Sequence, residues 1–182
     1  MYDILIIGAG VTGCFIAREL SRYNLNVLVL EKNNDVGNET TAANSAIVHS
    51  GYDPVPGTLK AKLNVEGNAM FDKVCEELDV SFKRIGSITV ALDEKEVETL
   101  KSLQERAKQN GVETILLSKE ELLEKEPMLS SGVVAGLLAP TAGIIDPFNL
   151  SVHLMENAID NGVKLILEEE VTDKAEELAK NT

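Results

Sequence analysis

Ile4-Leu5-Ile6-Ile7-Gly8-Ala9-Gly10-Val11-Thr12-Gly13 is the stretch on which the reading of this chain turns. Four apolar, strand-favouring residues run straight into a glycine turn. A helical pattern follows, with Phe15, Ile16 and Leu20 on one side, then a polar break at Asn24-Leu25-Asn26. A second apolar run, Val27-Leu28-Val29-Leu30, ends on Glu31. Strand, glycine turn, helix, strand and acid, in that order, predict a dinucleotide-binding βαβ unit. Gly8 allows a sharp turn off the strand, Gly10 lets a pyrophosphate lie against bare backbone, and Gly13 lets the helix approach the sheet. The N–H groups near Val11 and Thr12, with the positive end of the helix dipole, suit a phosphate. Glu31 stands eighteen residues beyond Gly13, close to the offset of about 20 residues expected of an acid that accepts a ribose hydroxyl. An acid there disfavours a 2′-phosphate and hence NADP.

The bulk numbers exclude several classes. With 182 residues the chain has room for one domain and part of a second. No apolar run reaches the 18 residues a spanning helix needs, and no basic, cleavable leader is evident at Met1. A net charge of −13 argues against nucleic acid and anionic membrane as partners. Cys14 and Cys75 have neither CxxC nor metal spacing and fall on the apolar sides of helical patterns. They read as buried free thiols of a cytoplasmic protein, with no metal site.

Downstream, 32–38 is a polar loop and 39–45 is rich in hydroxyl and amide side chains. Thr58 is placed to cap a helix whose apolar positions Leu59, Leu63, Met70, Val74 and Leu78 predict its buried face. Gly67 inside it suggests close packing or a ligand's approach. Asp93 with Glu96, and Ser118 with Glu121, read as capping boxes. Alternation at Ile88, Val90 and Leu92 predicts a strand, as do 112–117 and 132–139. Asp146 before Pro147 reads as a helix cap, and 163–167 as a strand continued by 168–171. The segment 81–142 alternates strands with capped helices and has no glycine-loop chemistry, so it reads as an inserted lobe. The expected fold is α/β: a doubly wound, Rossmann-like domain from 1–80 and 143–171, interrupted by a partial α+β substrate lobe at 81–142. Residues 172–182 form an atypical tail.

A second cluster narrows the reading. Thr40-Thr41-Ala42-Ala43-Asn44-Ser45, His49-Ser50-Gly51 and Pro56-Gly57-Thr58-Leu59-Lys60-Ala61 follow the glycine turn and Glu31, with Gly143-Ile144-Ile145-Asp146-Pro147 and Glu170-Val171 beyond. In this order they resemble FAD-dependent oxidoreductases of the D-amino-acid-oxidase type, most of all the glycerol-3-phosphate dehydrogenase and L-2-hydroxyglutarate oxidase branches. The resemblance implies that FAD is the cofactor. Gly8, Gly10 and Gly13 would line its pyrophosphate, and Glu31 would bind the adenosine ribose beside Lys32. Thr40, Thr41, Asn44 and Ser45 would lie along the pyrophosphate and ribityl chain, and Val171 would meet the adenine. His49 would stand near the flavin ring as the catalytic residue. The implied reaction is hydride transfer from a small 2-hydroxy acid or glycerol 3-phosphate to the flavin, with oxygen, a quinone or a redox protein as electron acceptor. Family members continue well past this length, so the chain reads as an N-terminal portion. On its own it is expected to be inactive, either binding FAD or ADP without turnover or self-associating without a ligand.

Overall fold

The computed structural model describes residues 1–172; the expectations for the 172–182 tail fall, apart from Thr172, outside the described residues. In chain order the elements are β1 (Ile4–Ile7), α1 (Val11–Leu20), β2 (Val27–Leu30), β3 (Ile47–Val48), α2 (Leu59–Leu78), β4 (Phe82–Lys83), β5 (Ser87–Ala91), α3 (Glu94–Gln109), β6 (Ile115–Ser118), α4 (Lys119–Lys125), β7 (Ala135–Ala139), β8 (Gly143–Ile145), α5 (Pro147–Asp160) and β9 (Lys164–Ile166). They are divided between two compact units. One comprises Met1–Ala46, Cys75–Ser81 and the described residues from Ile145 onward; the other comprises Ile47–Val74 and Phe82–Ile144.

The first unit carries a parallel sheet in the order β1-β2-β9. Ile4 pairs with Val27 and Ile7 with Leu30, while Leu28 pairs with Lys164 and Leu30 with Ile166. All four residues of β2 are buried, as a central parallel strand covered on both faces requires. Helices α1 and α5 pack together, and Cys14, Ala17, Leu154, Met155 and Ala158 are buried on them. Asp146 caps α5: its Oδ1 accepts from the N–H groups of Phe148 (2.9 Å) and Asn149 (3.2 Å), and Pro147 opens the first turn. That is the cap expected from the Asp-Pro pair.

The second unit is built on an antiparallel sheet with β7 between β5 and β6. Ser87 pairs with Ala139, and Ser118 with Ala135. Leu100, Leu117, Leu122, Val133 and Leu137 fill its interior. A smaller sheet runs β3-β8-β4. Ser118 and Glu121 form the full capping box of α4. At α3 Asp93 accepts from Glu96 N–H, but the Glu96 carboxylate reaches past it to Leu92 N–H at 2.6 Å.

Four expectations need correction. First, residues 47–74 pack with the second unit, so the compact units do not follow the 1–80, 143–171 and 81–142 division. Residues between Ile47 and Val74 meet the antiparallel unit through Tyr52, which packs against the Ala91, Leu100 and Leu137 core, and through Arg106 and Asn110 bonded to the carbonyls of Asp53, Gly51 and Pro54. Second, the predicted buried face of α2 holds only in its last turns. Val74 and Leu78 are buried, but Leu59, Leu63 and Met70 are exposed, while Ala61 and Asn68 are buried. The first part of α2 is seated through a small residue and a polar one. Third, a Cβ built on Gly67 meets nothing within 4 Å, so close packing does not explain that glycine. Fourth, the strands expected at 112–117 and 132–139 start later, at Ile115 and Ala135; a turn in which Val133 N–H donates to Ser130 O at 3.2 Å precedes the second.

Candidate functional site

A cleft of about 730 Å³ opens in the first unit at the carboxyl ends of β1 and β2. Glycine builds its floor. Gly8 sits at φ +96°, a left-handed conformation that side chains rarely adopt, and its N–H donates to Leu30 O at 2.8 Å. A Cβ on Gly13 would run into the Gly8 carbonyl oxygen, so the first turn of α1 comes down on the strand end with no room for a methyl group. At Gly10 a Cβ would come within 3.3 Å of Thr41 Oγ1, at the lip of the cleft.

The start of α1 is left open. Gly10 is its N-cap residue, offers no side-chain cap, and no acid lies in the first turn. Thr41 Oγ1 accepts from Val11 N–H at 3.1 Å, and Thr41 is itself buried. The adjoining N–H groups and the positive helix end face the cleft, lined there by Gly10, Val11, Thr12 and Gly13, as an anion site requires.

Glu31 is buried at the end of β2. Its Oε2 accepts from Ala9 N–H at 2.7 Å and its Oε1 from Asn33 N–H at 2.9 Å. Each carboxylate oxygen keeps a further lone pair for a hydroxyl donor. Behind it, the Cys14 thiol donates to Ala9 O at 3.2 Å, and burial pushes its pKa up from 9.0 to about 12, with Glu31 adding to the rise. Cys14 therefore stays protonated.

The rim is acidic. Lys32 Nζ pairs with Glu39 Oε1 at 3.0 Å; the hydrogen bond and charge attraction of that pair hold the ammonium pKa above its ordinary value and the carboxyl below its own. Glu169 and Glu170 complete the rim with Val171. β9 stops at Ile166 and Glu168 turns left-handed at φ 57°, yet Glu169 N–H still donates to Glu31 O at 2.9 Å, which carries Val171 to the cleft.

The cleft thus brings together Gly8, Gly10, Gly13, Glu31, Lys32, Thr40, Thr41, Asn44 and Val171. Asn44 also organises its own loop, its amide donating to Thr41 O at 2.6 Å and accepting from Ala46 N–H at 2.7 Å. Ser45 is exposed and is not among the lining residues. His49 is exposed in the second unit, with its carbonyl bonded to Asn68 Nδ2 at 3.0 Å. Asn38, Glu39, Glu169 and Glu170 line the cleft without having been expected there. Glu170 is signalled by its place beside Val171 and Glu39 by its charge opposite Lys32, while Asn38 and Glu169 carry no sequence signal.

The residues present fit the ADP half of a dinucleotide. A bare-backbone cradle and an uncapped helix end suit a pyrophosphate, and a buried carboxylate at the end of the second strand suits a ribose diol. Among the described residues no helix is long and apolar enough to cross a membrane.

Comparison with known proteins identifies the family. The model of the family described as FAD dependent oxidoreductase matches residues 3–181. Glycerol 3-phosphate dehydrogenase of Caloramator mitchellensis is 57% identical over 174 residues, a match covering 95% of this chain and 36% of that protein. The mitochondrial L-2-hydroxyglutarate dehydrogenase of Pongo abelii is 33% identical, over 94% of this chain and 41% of its own length. The structure of dithionite-reduced L-alpha-glycerophosphate oxidase from Mycoplasma pneumoniae with FAD bound superposes with a TM-score of 0.88 at 37% identity, covering 94% of this chain and 46% of that one. The chain therefore spans less than half the length of these relatives.

Proposed function

The chain belongs to the FAD-dependent oxidoreductase family, and from that premise we propose that its first unit holds the ADP half of FAD for the oxidation of a CH–OH substrate, glycerol 3-phosphate or a small 2-hydroxy acid. The observation that carries this reading is the convergence of Gly8, Gly10, Gly13, Thr41 and Glu31 on one cleft at an uncapped helix start. The N–H groups at the start of α1 bind the pyrophosphate. Glu31 accepts from the ribose hydroxyls while Ala9 and Asn33 hold its carboxylate in place. Lys32 and Val171 border the adenine end, and Thr40, Thr41, Asn44 and Ser45 follow the chain toward the ribityl. When bound, FAD supplies the two-electron acceptor for the hydride. His49 is the side chain this reading assigns to catalysis. Lys32, the only basic side chain on the cleft among the described residues, is paired with Glu39 at 3.0 Å and is not a substrate clamp in this reading. Two buried free thiols suit the reducing cytoplasm.

A second reading keeps the cleft without the chemistry: these residues bind FAD or ADP without turnover, since His49 is not among the residues that line the cleft. A ligand-free, self-associating chain is the remaining alternative, since among the described residues β1 is an edge strand with Leu5 41% and Ile7 63% exposed. One experiment separates the readings. The purified chain is mixed with FAD and desalted, and its visible spectrum is recorded, with ADP titrated by calorimetry in parallel. A retained flavin band that bleaches when glycerol 3-phosphate or a 2-hydroxy acid is added without oxygen supports the enzyme, and an unbleached band, or heat with ADP alone, supports binding without turnover. No band and no heat would overturn the assignment of the cleft.

A further inference from the structure

We propose that Asn68 is a positioning residue for His49, fixing where the imidazole stands by holding the backbone that carries it; this rests on the reading of His49 given above. Asn68 lies inside α2 and is only 7% exposed, and a buried amide must find partners. Its Nδ2 divides its two hydrogens between His49 O and Thr141 O, each at 3.0 Å, bridging segments far apart in sequence. Its Oδ1 accepts from Arg84 Nη1 at 2.9 Å. Arg84 is itself fixed, donating to Asp72 through Nε at 2.8 Å and lying 5.0 Å from the centre of the Phe82 ring. The guanidinium also reaches Thr141 O, so that carbonyl has a second donor.

The bond to His49 O is the first of a series. Asn110 Nδ2 donates to Gly51 O at 3.1 Å and to Pro54 O at 2.8 Å, and Arg106 Nη1 to Asp53 O at 2.8 Å. The carbonyls of residues 49, 51, 53 and 54 are thus held by side chains of helices and neighbouring loops, so this loop takes its shape from a few side-chain donors. The His49 ring is exposed, and its position follows its backbone. Removing the Asn68 amide takes the donor from His49 O while the later clamps at Gly51, Asp53 and Pro54 remain.

The chain contains two histidines, which makes the test direct. Imidazole carbon–proton resonances are recorded by NMR on the ligand-free chain, assigned with His49→Gln, and compared in Asn68→Ala and in Asn68→Asp. The second variant keeps the shape and the partnership with Arg84 but turns the donors into acceptors. His153, whose Nδ1 is bonded to Leu78 O at 2.7 Å in the first unit, is the internal control. The expected result is a shifted or split His49 signal in both variants with His153 unchanged. In the full-length, flavin-loaded enzyme the same variants should lower kcat about ten- to a hundredfold with KM held, as misplacing a reacting group does. An unchanged His49 signal in both variants overturns the proposal. So does joint movement of both histidines to unfolded positions in both variants, since that marks a merely structural residue. Because the NMR arm uses no flavin, its failure is distinct from a failure of the chain to bind FAD.

Discussion

Helices α1 and α2 both follow a glycine turn and both contain a glycine, yet they do opposite things with them. Ahead of α1, Gly8 is at φ +96°, and the helix starts without a side-chain cap. Ahead of α2, Gly57 is at φ +78°, and Thr58 Oγ1 accepts from Ala61 N–H at 3.2 Å. Within α1, Gly13 is jammed against the Gly8 carbonyl; within α2, Gly67 faces open space. The α1 start therefore leaves N–H groups to its cleft, because the helix has no side-chain cap and comes down on the strand it has just left, whereas the cleft of about 520 Å³ beside Gly57 opens on a capped helix start. Thr58 Oγ1 accepts from an N–H of its own helix, whereas the Gly10 cap position of α1 has no side chain to do so.

The largest effect expected from this contrast is at Gly13. Gly13→Ala should destabilise the first unit by about 3 kcal/mol or more, because the clash is with backbone and cannot be relieved by a rotamer change. Nucleotide affinity should go with it. Urea denaturation measures the loss, and a variant within 1 kcal/mol of the parent would break the close-approach account.

An intermediate effect lies behind the same turn and is read by pH. The folded Cys14 thiol has its pKa raised from 9.0 to about 12, chiefly by burial. Above pH 9 the unfolded thiol releases its proton while the folded one keeps it. Stability from this group is therefore full below pH 9 and falls as pH rises toward 12, at about 1.4 kcal/mol per unit. Cys14→Ala should flatten that part of the alkaline stability curve. The same burial should leave Cys14 unalkylated by iodoacetamide at pH 8 until the chain is denatured.

The smallest effect has the opposite sign. Gly67→Ala should stabilise α2 by about 1 kcal/mol, the helix-propensity difference, because the new methyl group meets nothing within 4 Å. Thermal unfolding reads it. Destabilisation instead would show that the two glycines are less different than they look.

Much of the first unit was legible because each of its signals is local. A strand's apolar run, a glycine turn, a helix period and a terminal acid all lie within 31 residues, and each has one geometric meaning. The Asp-Pro cap of α5 and the capping box of α4 were legible for the same reason. The first part of α2 was not: its apolar residues Leu59, Leu63 and Met70 point outward, and buried Asn68 is the residue that anchors it. Hydropathy cannot announce a helix seated by an amide, because the stabilisation comes from hydrogen bonds to carbonyls 19 and 73 residues away.

By itself, then, the sequence determined the βαβ unit, the direction of its dipole, the acid at the end of its second strand and the resemblance to flavin-dependent oxidoreductases, since all of these reside in near-neighbour pattern. The tertiary structure alone decided that residues 47–74 pack with the antiparallel unit. It also decided that Asn38 and Glu169 join the lining of the cleft, and that a buried asparagine holds the backbone of His49. Those outcomes depend on which distant backbone groups are left needing a partner once the chain has closed, and no local run of residues records that.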